Sequence, residues 1–577
     1  MKKKLLPALI VTGLIILVVI IMGITALINK YTPTKKTEDL KEYFNISSDD
    51  EAALIVDNEL SDYKAKIIDK KIYVDYKFVH DSLNSRFYWD ANENVLLYTT
   101  ASDIISAAAD SNSYSVTKQT NDFGYPIVKA TSDSALIALD YVKQYSNITV
   151  KSYDDPARIV ITSKWDEIDS ATVSNSTQIR VKGGIKSPIL KEVKKDDKIT
   201  ILDSGDKWDK VATEDGVIGY IKRKALSESK KTKLTNPDYE EETFTHIKKD
   251  KDICLAWNQV TSQSANSKVP QVISSTKGIN VMSPTWFYLN DNNGNLADIA
   301  SKDYVSYCHS QGIEVWGLFS NLENTDVDAA YVLTHTSTRT TLINQIMSAA
   351  FNYELDGVNI DFENITEAAY GDSYIEFIRE LSIKCHNNGI SLSVDVTVPA
   401  SFNKFFNRSD MANFADYIVI MGYDEHYKGS DAGSVSSIPW VTEGVESTLK
   451  EVPADQIILG MPFYTRIWEL TPKEDDDAVT DTEDQSKYTV ASQVYSMDAA
   501  AAQLATNNAT AALDEESGQN YAEWSASNKL YKVWLEDSTS LEKRLKLVDD
   551  NKLAGAAFWK LGFENSSVWD TVIKYLD

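Results

Sequence analysis

The chain has 577 residues and a formal net charge of −27, with 43% hydrophobic and 25% charged residues. That is material for three or four globular domains, and a surface of that sign repels phosphate backbones, which excludes nucleic acid as a partner. Three widely spaced cysteines and six scattered histidines make neither a disulfide framework nor a metal-ligating cluster, so no metal or other cofactor is expected.

At the N-terminus Lys2, Lys3 and Lys4 precede an uncharged run at 5–28. As a helix that run spans about 36 Å, enough to cross a bilayer. It is too long for the core of a cleaved signal peptide, and Ile24-Thr25-Ala26-Leu27 is a poor cleavage site. Residues 1–30 are therefore expected to be a single-pass signal anchor in the cell membrane, with the bulk of the chain on the cell-wall side. Residues 31–50 read as a polar tether.

Residues 51–168 repeat a pattern of strand, short helix and two strands. The first copy runs through Ile72-Tyr73-Val74, Phe78-Val79-His80-Asp81-Ser82-Leu83, Tyr88-Trp89-Asp90 and Val95-Leu96-Leu97-Tyr98-Thr99. The second runs through Tyr125-Pro126-Ile127-Val128, Ala135-Leu136-Ile137-Ala138-Leu139, Ile148-Thr149-Val150 and Arg158-Ile159-Val160-Ile161-Thr162. The pattern resembles the small α+β domain first named from the N-terminus of copper amine oxidases. The resemblance implies a spacer or wall-interaction module, and no copper, because neither copy holds a histidine cluster.

Residues 169–227 show short strands with frequent turns, the pattern of a small barrel. Arg180-Val181, Asp197-Lys198-Ile199-Thr200-Ile201-Leu202, Trp208 and Gly219-Tyr220-Ile221 resemble a bacterial SH3-type domain, a kind that often binds peptidoglycan peptides, and the resemblance leaves the ligand of this one open. Residues 228–242, polar and holding Pro237, read as a linker.

From 243 to 577 strands alternate with helices. Strands are expected at 253–258, 278–282, 314–320, 357–363, 391–398, 417–423, 456–461 and 555–559, with helices such as 331–351 and 370–387 between them. Eight such strands predict a (β/α)8 TIM barrel, an open doubly wound sheet being the alternative. Barrel chemistry sits at the carboxyl ends of the strands. Glu363 and Asp361 stand there on one face of the fourth strand, with Asn359 behind them. Tyr423 and Asp424 end the sixth strand, Trp559 ends the eighth, and Asp395 faces inward on the fifth. An acidic segment at 471–529, including Glu474-Asp475-Asp476-Asp477, is expected to build an insertion beside the seventh and eighth strands.

Asp356-Gly357-Val358-Asn359-Ile360-Asp361-Phe362-Glu363 resembles the DGxDxDxE signature of glycoside hydrolase family 18. Met421-Gly422-Tyr423-Asp424, Gly460-Met461-Pro462-Phe463-Tyr464 and Trp559 fit that family's later strands. Ser283-Pro284-Thr285-Trp286-Phe287, Tyr423-Asp424-Glu425-His426 and Ser437-Ile438-Pro439-Trp440-Val441 resemble its spore-cortex lytic N-acetylglucosaminidase branch. The resemblance implies substrate-assisted hydrolysis with retention, an exception to the two-carboxylate scheme of most glycosidases. Glu363 would be the general acid and base, Asp361 would orient the substrate's acetamido N–H, and Tyr423 would hydrogen-bond the acetamido oxygen. Asp424, Trp559, Asp395, Trp286, Met421 and Asn359 would bind substrate, with Trp559 as the floor under the sugar. Asn359 departs from the common pattern, which has Asp there; its amide can donate a hydrogen bond but cannot share a proton.

The expected partner is a polysaccharide containing N-acetylglucosamine, cut at β-1,4 bonds: peptidoglycan first, with chitin-like chains or N-glycans as alternatives. A non-catalytic wall-carbohydrate-binding protein and a wall-tethering scaffold are the readings from other classes.

Overall fold

The computed structural model describes residues 2–363, 365, 368–473 and 484–576. The acidic run Glu474-Asp475-Asp476-Asp477 lies outside the described residues. The chain forms two compact units, one of residues 1–89, 107–114 and 122–241, the other of residues 90–106, 115–121 and 242–577.

In the first unit, Lys2–Tyr31 is one helix. Its stretch Pro7–Tyr31 is long and apolar enough to cross a membrane. A seven-stranded mixed sheet follows, in which Glu51–Val56 pairs parallel with Arg158–Thr162 and antiparallel with Glu59–Ile68. Lys71–Asp75 leads into the helix Tyr76–Ser82, and Ala135–Ala138 into the helix Leu139–Tyr145. The second helix starts later than its sequence pattern predicts, because Leu136, Ile137 and Ala138 pair with Asp75, Val74 and Tyr73 as a strand. A second, antiparallel seven-stranded sheet spans Glu167–Thr172 to Lys230–Lys233.

Two stretches expected to be unstructured are not. Lys230–Lys233, placed in the linker, pairs with Glu167–Thr172 as a fully exposed edge strand, and a four-residue polar strand carries no apolar alternation to reveal it. In the tether, Leu40–Tyr43 is a helix capped by Asp39, and Phe44 is buried in the core with Ile55, Ile179 and Val211.

The second unit is built on a closed barrel of eight parallel strands: β1 (Ile253–Asn258), β2 (Val281–Leu289), β3 (Glu314–Ser320), β4 (Gly357–Asp361), β5 (Ser391–Thr397), β6 (Tyr417–Met421), β7 (Ile457–Pro462) and β8 (Gly555–Trp559). β1 pairs with both β2 and β8, which closes the ring and leaves no edge. The closed ring rules out the open sheet. β2 starts later and runs longer than 278–282. Gly278 takes a left-handed φ of +77°, so it is a turn rather than a strand. Pro284, which ordinarily argues against a strand interior, is accommodated next to a register irregularity between Thr285 and Phe287. Helices Ala329–Thr334 and Thr336–Tyr353 replace the single predicted helix at 331–351, and Ala368–His386 follows β4.

Alternation along the strands sorts the side chains. Inside the barrel, Leu255, Trp257, Trp316, Leu318, Tyr417, Val419 and Ile458 form one cluster. Outside, Val358, Ile360, Val394, Ile418 and Leu459 pack under the helices with the buried Cys254, Cys308 and Cys385. Gly357 is required at its position: a Cβ there would come within 2.5 Å of the Trp316 ring. Between β7 and β8 the chain folds into a five-stranded antiparallel sheet that runs from Tyr464–Pro472 to Lys529–Leu535. The insertion is thus an ordered subdomain over its described residues. It is anchored by Arg544, buried and paired with Glu536 at 2.8 Å, which also donates to the Ser436 carbonyl. Removing one member of such a buried pair costs about 3–5 kcal/mol, since the other charge is stranded.

Candidate active site

β4 places Asn359 and Asp361 on the inner face, and the chain carries Glu363 just past the strand end. A cavity of about 550 Å³ opens over the carboxyl ends of the strands, lined by Asp361, Glu363, Asp395, Met421, Tyr423, Asp424 and Trp559 among others. Seven of the nine residues singled out from the sequence therefore share one cavity.

Asn359 lies beneath the cavity, fully buried, and all its amide valences are used. Its Oδ1 accepts from Trp257 Nε1–H and Ser283 Oγ–H, both at 2.9 Å. Its Nδ2 donates to Ser393 Oγ at 3.0 Å and to Asp395 Oδ1 at 2.7 Å. The indole N–H can only donate, so the amide oxygen must face it and the NH2 must face Asp395. Asp395 thus receives a neutral donor rather than a shared proton.

Trp286 is not in the cavity. It is completely buried between strand and helix layers, where its Nε1–H donates to Asn266 Oδ1 at 2.8 Å and its ring meets Tyr304 edge-on at 4.9 Å. On β2, Ser283 faces inward to Asn359, and a residue three positions on faces the opposite way.

The carboxyls have no cation among the cavity-lining residues. Burial pushes Asp361 well above the ordinary carboxylate range, with the charges of Asp395, Glu363 and Glu323 adding to it. Asp395 is raised mainly by burial, against the Asn359 hydrogen bond that lowers it. Glu363 is raised by burial and then by Asp424 and Glu323, although its side chain opens to solvent at the cavity. Burial and the neighbouring like charges thus act in the same direction on Asp361 and Glu363, both favouring the protonated form. Asp361 Oδ1 is buried without a hydrogen-bond partner, a costly state for a carboxyl oxygen. The Glu363 backbone N–H donates to Asn321 Oδ1 at 3.1 Å.

Tyr423 also lines the cavity, deeply enclosed and raised well above its usual range by burial and then by Asp361. Asp424 adopts a left-handed φ of +61°, strained for a non-glycine residue. Tyr464 Oη–H donates to Asp424, and the Arg466 guanidinium lies 3.9 Å from it. Trp559 packs edge-on against Trp257 at 5.9 Å. Ser436, held by Arg544, donates through Oγ to the Gly422 carbonyl, and Ser437 donates twice to Glu425.

Sequence reasoning missed Trp257, Glu425, Trp440, Phe402 and Tyr427 as cavity residues. Glu323, bonded by Ser320 at the end of β3, was legible from the strand-end rule alone. Among the described residues no group of His, Cys, Asp and Glu is placed to hold a metal ion.

Residues 319–564 match the family described as Glycosyl hydrolases family 18. Two proteins of Bacillus subtilis (strain 168) are similar in sequence. The uncharacterized glycosylase YvbX is 24% identical over 301 residues, which covers 49% of this chain and 81% of that protein. A cortical fragment-lytic enzyme is 25% identical over 287 residues, covering 48% of this chain and 63% of the relative. A C-terminal domain from Desulfitobacterium hafniense DCB-2 superposes with a TM-score of 0.50 at 18% identity, covering 57% of this chain and 100% of that one, and shares the fold. The barrel thus carries a family 18 glycosyl hydrolase domain, and the protein is a glycosidase.

Proposed function

We propose that this glycosidase cleaves β-1,4 bonds after N-acetylglucosamine units by substrate-assisted catalysis with retention, and that its substrate is peptidoglycan. The observation that carries the reading is the convergence of Asp361, Asp395 and Glu363, all raised above the ordinary carboxylate range by burial, on one cavity that Tyr423 and Trp559 also line. Glu363 protonates the glycosidic oxygen as that bond breaks. The acetamido carbonyl oxygen of the bound sugar attacks the anomeric carbon, giving an oxazolinium ion and the free alcohol. Glu363, now a carboxylate, takes a proton from water as the water attacks the same carbon, and the acetamide re-forms. A raised Glu363 pKa suits this double role, since the group must be protonated at rest near neutral pH.

The unpartnered Asp361 Oδ1 accepts the acetamido N–H, which turns an unfavourable buried oxygen into a satisfied one only when substrate is bound. Tyr423 donates to the acetamido oxygen and aims it. Trp559 and Met421 form apolar walls against the sugar, Asp424 contacts it, and Asp395 and Asn359 orient Asp361 from below. The similarity to a cortical fragment-lytic enzyme supports a wall glycan. The N-terminal helix would anchor the chain, with the two β-rich sheets of the first unit as wall-facing spacer or binding modules.

Neutral chitin-like chains are the second reading. It is favoured by a cavity lined with five carboxylates, Asp361, Glu363, Asp395, Asp424 and Glu425, and by no lysine or arginine. Digestion of purified peptidoglycan and of chitooligosaccharides with the chain lacking residues 1–30, followed by mass spectrometry, tests both. Wall fragments ending in reducing N-acetylglucosamine are expected. Cleavage of chitooligosaccharides alone would replace the substrate, and no cleavage of either would overturn the reading.

A further inference from the structure

The membrane-length helix does not lead into a free tether. Thr34, just past the helix end at Tyr31, donates its N–H to the Ile185 carbonyl at 2.8 Å. Thr37 then bridges Ile189 in parallel: the Ile189 N–H donates to the Lys36 carbonyl and the Glu38 N–H to the Ile189 carbonyl, both at 2.8 Å. This segment runs along the start of Ile189–Val193, the edge strand of the antiparallel sheet, and covers it. Side chains hold the same join. Arg180, buried, donates to the Thr34 carbonyl at 3.2 Å and to the Ser187 carbonyl at 2.6 Å. Lys186 donates to the Thr32 carbonyl at 2.8 Å and to the Asn29 carbonyl, so its ammonium caps the carboxyl end of the helix. The chain from Tyr31 to Thr34 reaches at most about 10 Å, so the hairpin turn at 181–188 is fastened beside the end of the helix.

The join is basic in a chain whose net charge is −27. Segments 29–37 and 180–188 hold Lys30, Lys35, Lys36, Arg180, Lys182 and Lys186, and neither holds an acidic residue. All of these lysines are exposed, and among the described residues none of them is paired with a carboxylate. Gly183 of the turn packs on two half-buried rings: a Cβ there would come within 3.2 Å of Trp208 and 3.6 Å of Tyr220. Lys222 Nζ stands 5.8 Å over the Trp208 ring. Tryptophan, tyrosine and lysine suit a membrane–water interface, since each has an apolar body and a polar tip.

We infer that this hairpin turn and the end of the helix form one binding surface for anionic lipid headgroups, which seats the antiparallel sheet on the membrane. The inference rests on the reading of the N-terminal helix as a membrane anchor, and not on the glycosidase chemistry. Lipid phosphates are the counter-charge a bilayer offers at the level where such a helix ends. The lysines stand within about a Debye length of that level, roughly 8–10 Å, where screening is incomplete. The acidic remainder of the chain is repelled by an anionic surface, and the lysine cluster supplies the local attraction. Because backbone hydrogen bonds already hold the turn in place, little ordering entropy opposes binding.

The test reconstitutes the full chain into phosphatidylcholine vesicles containing one quarter phosphatidylglycerol. Spin-labelled forms of the two lipids report how strongly each associates with the protein. The parent is expected to prefer phosphatidylglycerol about fivefold, the worth of one lysine near an anionic surface. Lys182→Gln combined with Lys186→Gln should at least halve that ratio, as should Lys30→Gln, Lys35→Gln and Lys36→Gln together. Lys186→Arg should keep it. Lys182→Glu, at an exposed side chain, leaves every hydrogen bond of the join in place and should lower it too. Equal association of both lipids with the parent overturns the surface, and so does an unchanged preference in the hairpin variants. No lipid preference together with calorimetric binding of polyphosphate also overturns it, and assigns the lysines to a soluble polyanion. A full chain that fails to float with the vesicles in high salt overturns the anchor reading and this surface with it; flotation separates that failure from a lost lipid preference in an anchored chain.

Discussion

The substitution Asn359→Asp tests how the buried hub governs the carboxyl cluster. The introduced carboxylate would sit 2.7 Å from Asp395 Oδ1, the distance now spanned by the amide. At an effective dielectric of about 20, two unit charges at that separation repel by roughly 6 kcal/mol, so the pair cannot hold both charges and retains one proton. With that proton on the introduced carboxyl, Trp257 and Ser283 keep their acceptor and Asp395 keeps a donor, but Ser393 loses its N–H, a loss of about 1 kcal/mol. The carboxyl's folded pKa then lies far above its unfolded value of about 3.9. A group raised on folding stabilises fully below its unfolded pKa and loses that contribution as pH rises through the folded pKa. The variant is therefore expected to melt slightly below the parent near pH 4, with the gap widening steadily toward pH 8. Its pH–rate profile should gain a titration that the parent lacks, because a proton can now move between the introduced carboxyl, Asp395 and Asp361. Thermal melts across that range and kcat/KM against pH provide the assay. A constant difference in melting temperature from about pH 4 to pH 8 would refute the placement of Asn359 as a buried neutral donor to Asp395.

Glu363→Gln is expected to lower kcat by on the order of a thousandfold while oligosaccharide binding persists; retained turnover would remove Glu363 from the chemistry. Glu323→Gln removes a charge that raises both Glu363 and Asp361. In the proposed reaction Glu363 must be protonated at the start of the cycle, so activity would fall as pH rises through its pKa, and the alkaline limb of the variant should move to lower pH; an unmoved limb would show that Glu323 does not act on Glu363. Trp286→Phe leaves Asn266 Oδ1 without its indole donor inside a packed layer. It should cost about 1–3 kcal/mol in stability, read by denaturant unfolding, without changing KM, and a KM effect would place Trp286 at the substrate after all.

The barrel was legible because parallel strands buried on both faces announce themselves as apolar runs, and β4 because its inner face breaks that rule at Asn359 and Asp361. What was not legible depended on register or on loops. Trp286 sits in a cavity-like motif, yet the face it takes is set by β2's start at Val281 and its irregularity beyond Thr285, neither of which has a sequence period. Phe402, Tyr427 and Trp440 lie on turns and a helix start, where no alternation indicates direction. The strand Lys230–Lys233 and the helix holding Phe44 in place are four residues each, too short for any period to show.

Asn359 joins these levels. A common Asp at this position would offer only oxygens when ionised, and would need a proton to reach Asp395. The amide instead meets donors from β1 and β2 on one side and acceptors from β5 on the other, at 2.7 to 3.0 Å. Those strands are brought together only by closure of the ring, so the hub is complete only in the folded barrel. It fixes Asp395 as an acceptor before any substrate arrives. That leaves Asp361, with its buried unpartnered oxygen, as the member of the cluster whose hydrogen bonding would change if, as proposed, an acetamido group enters. In the proposed substrate-assisted reaction, where the site supplies no nucleophile of its own, holding one carboxyl fixed and leaving the other unsatisfied would direct binding free energy to the group that must do the attacking.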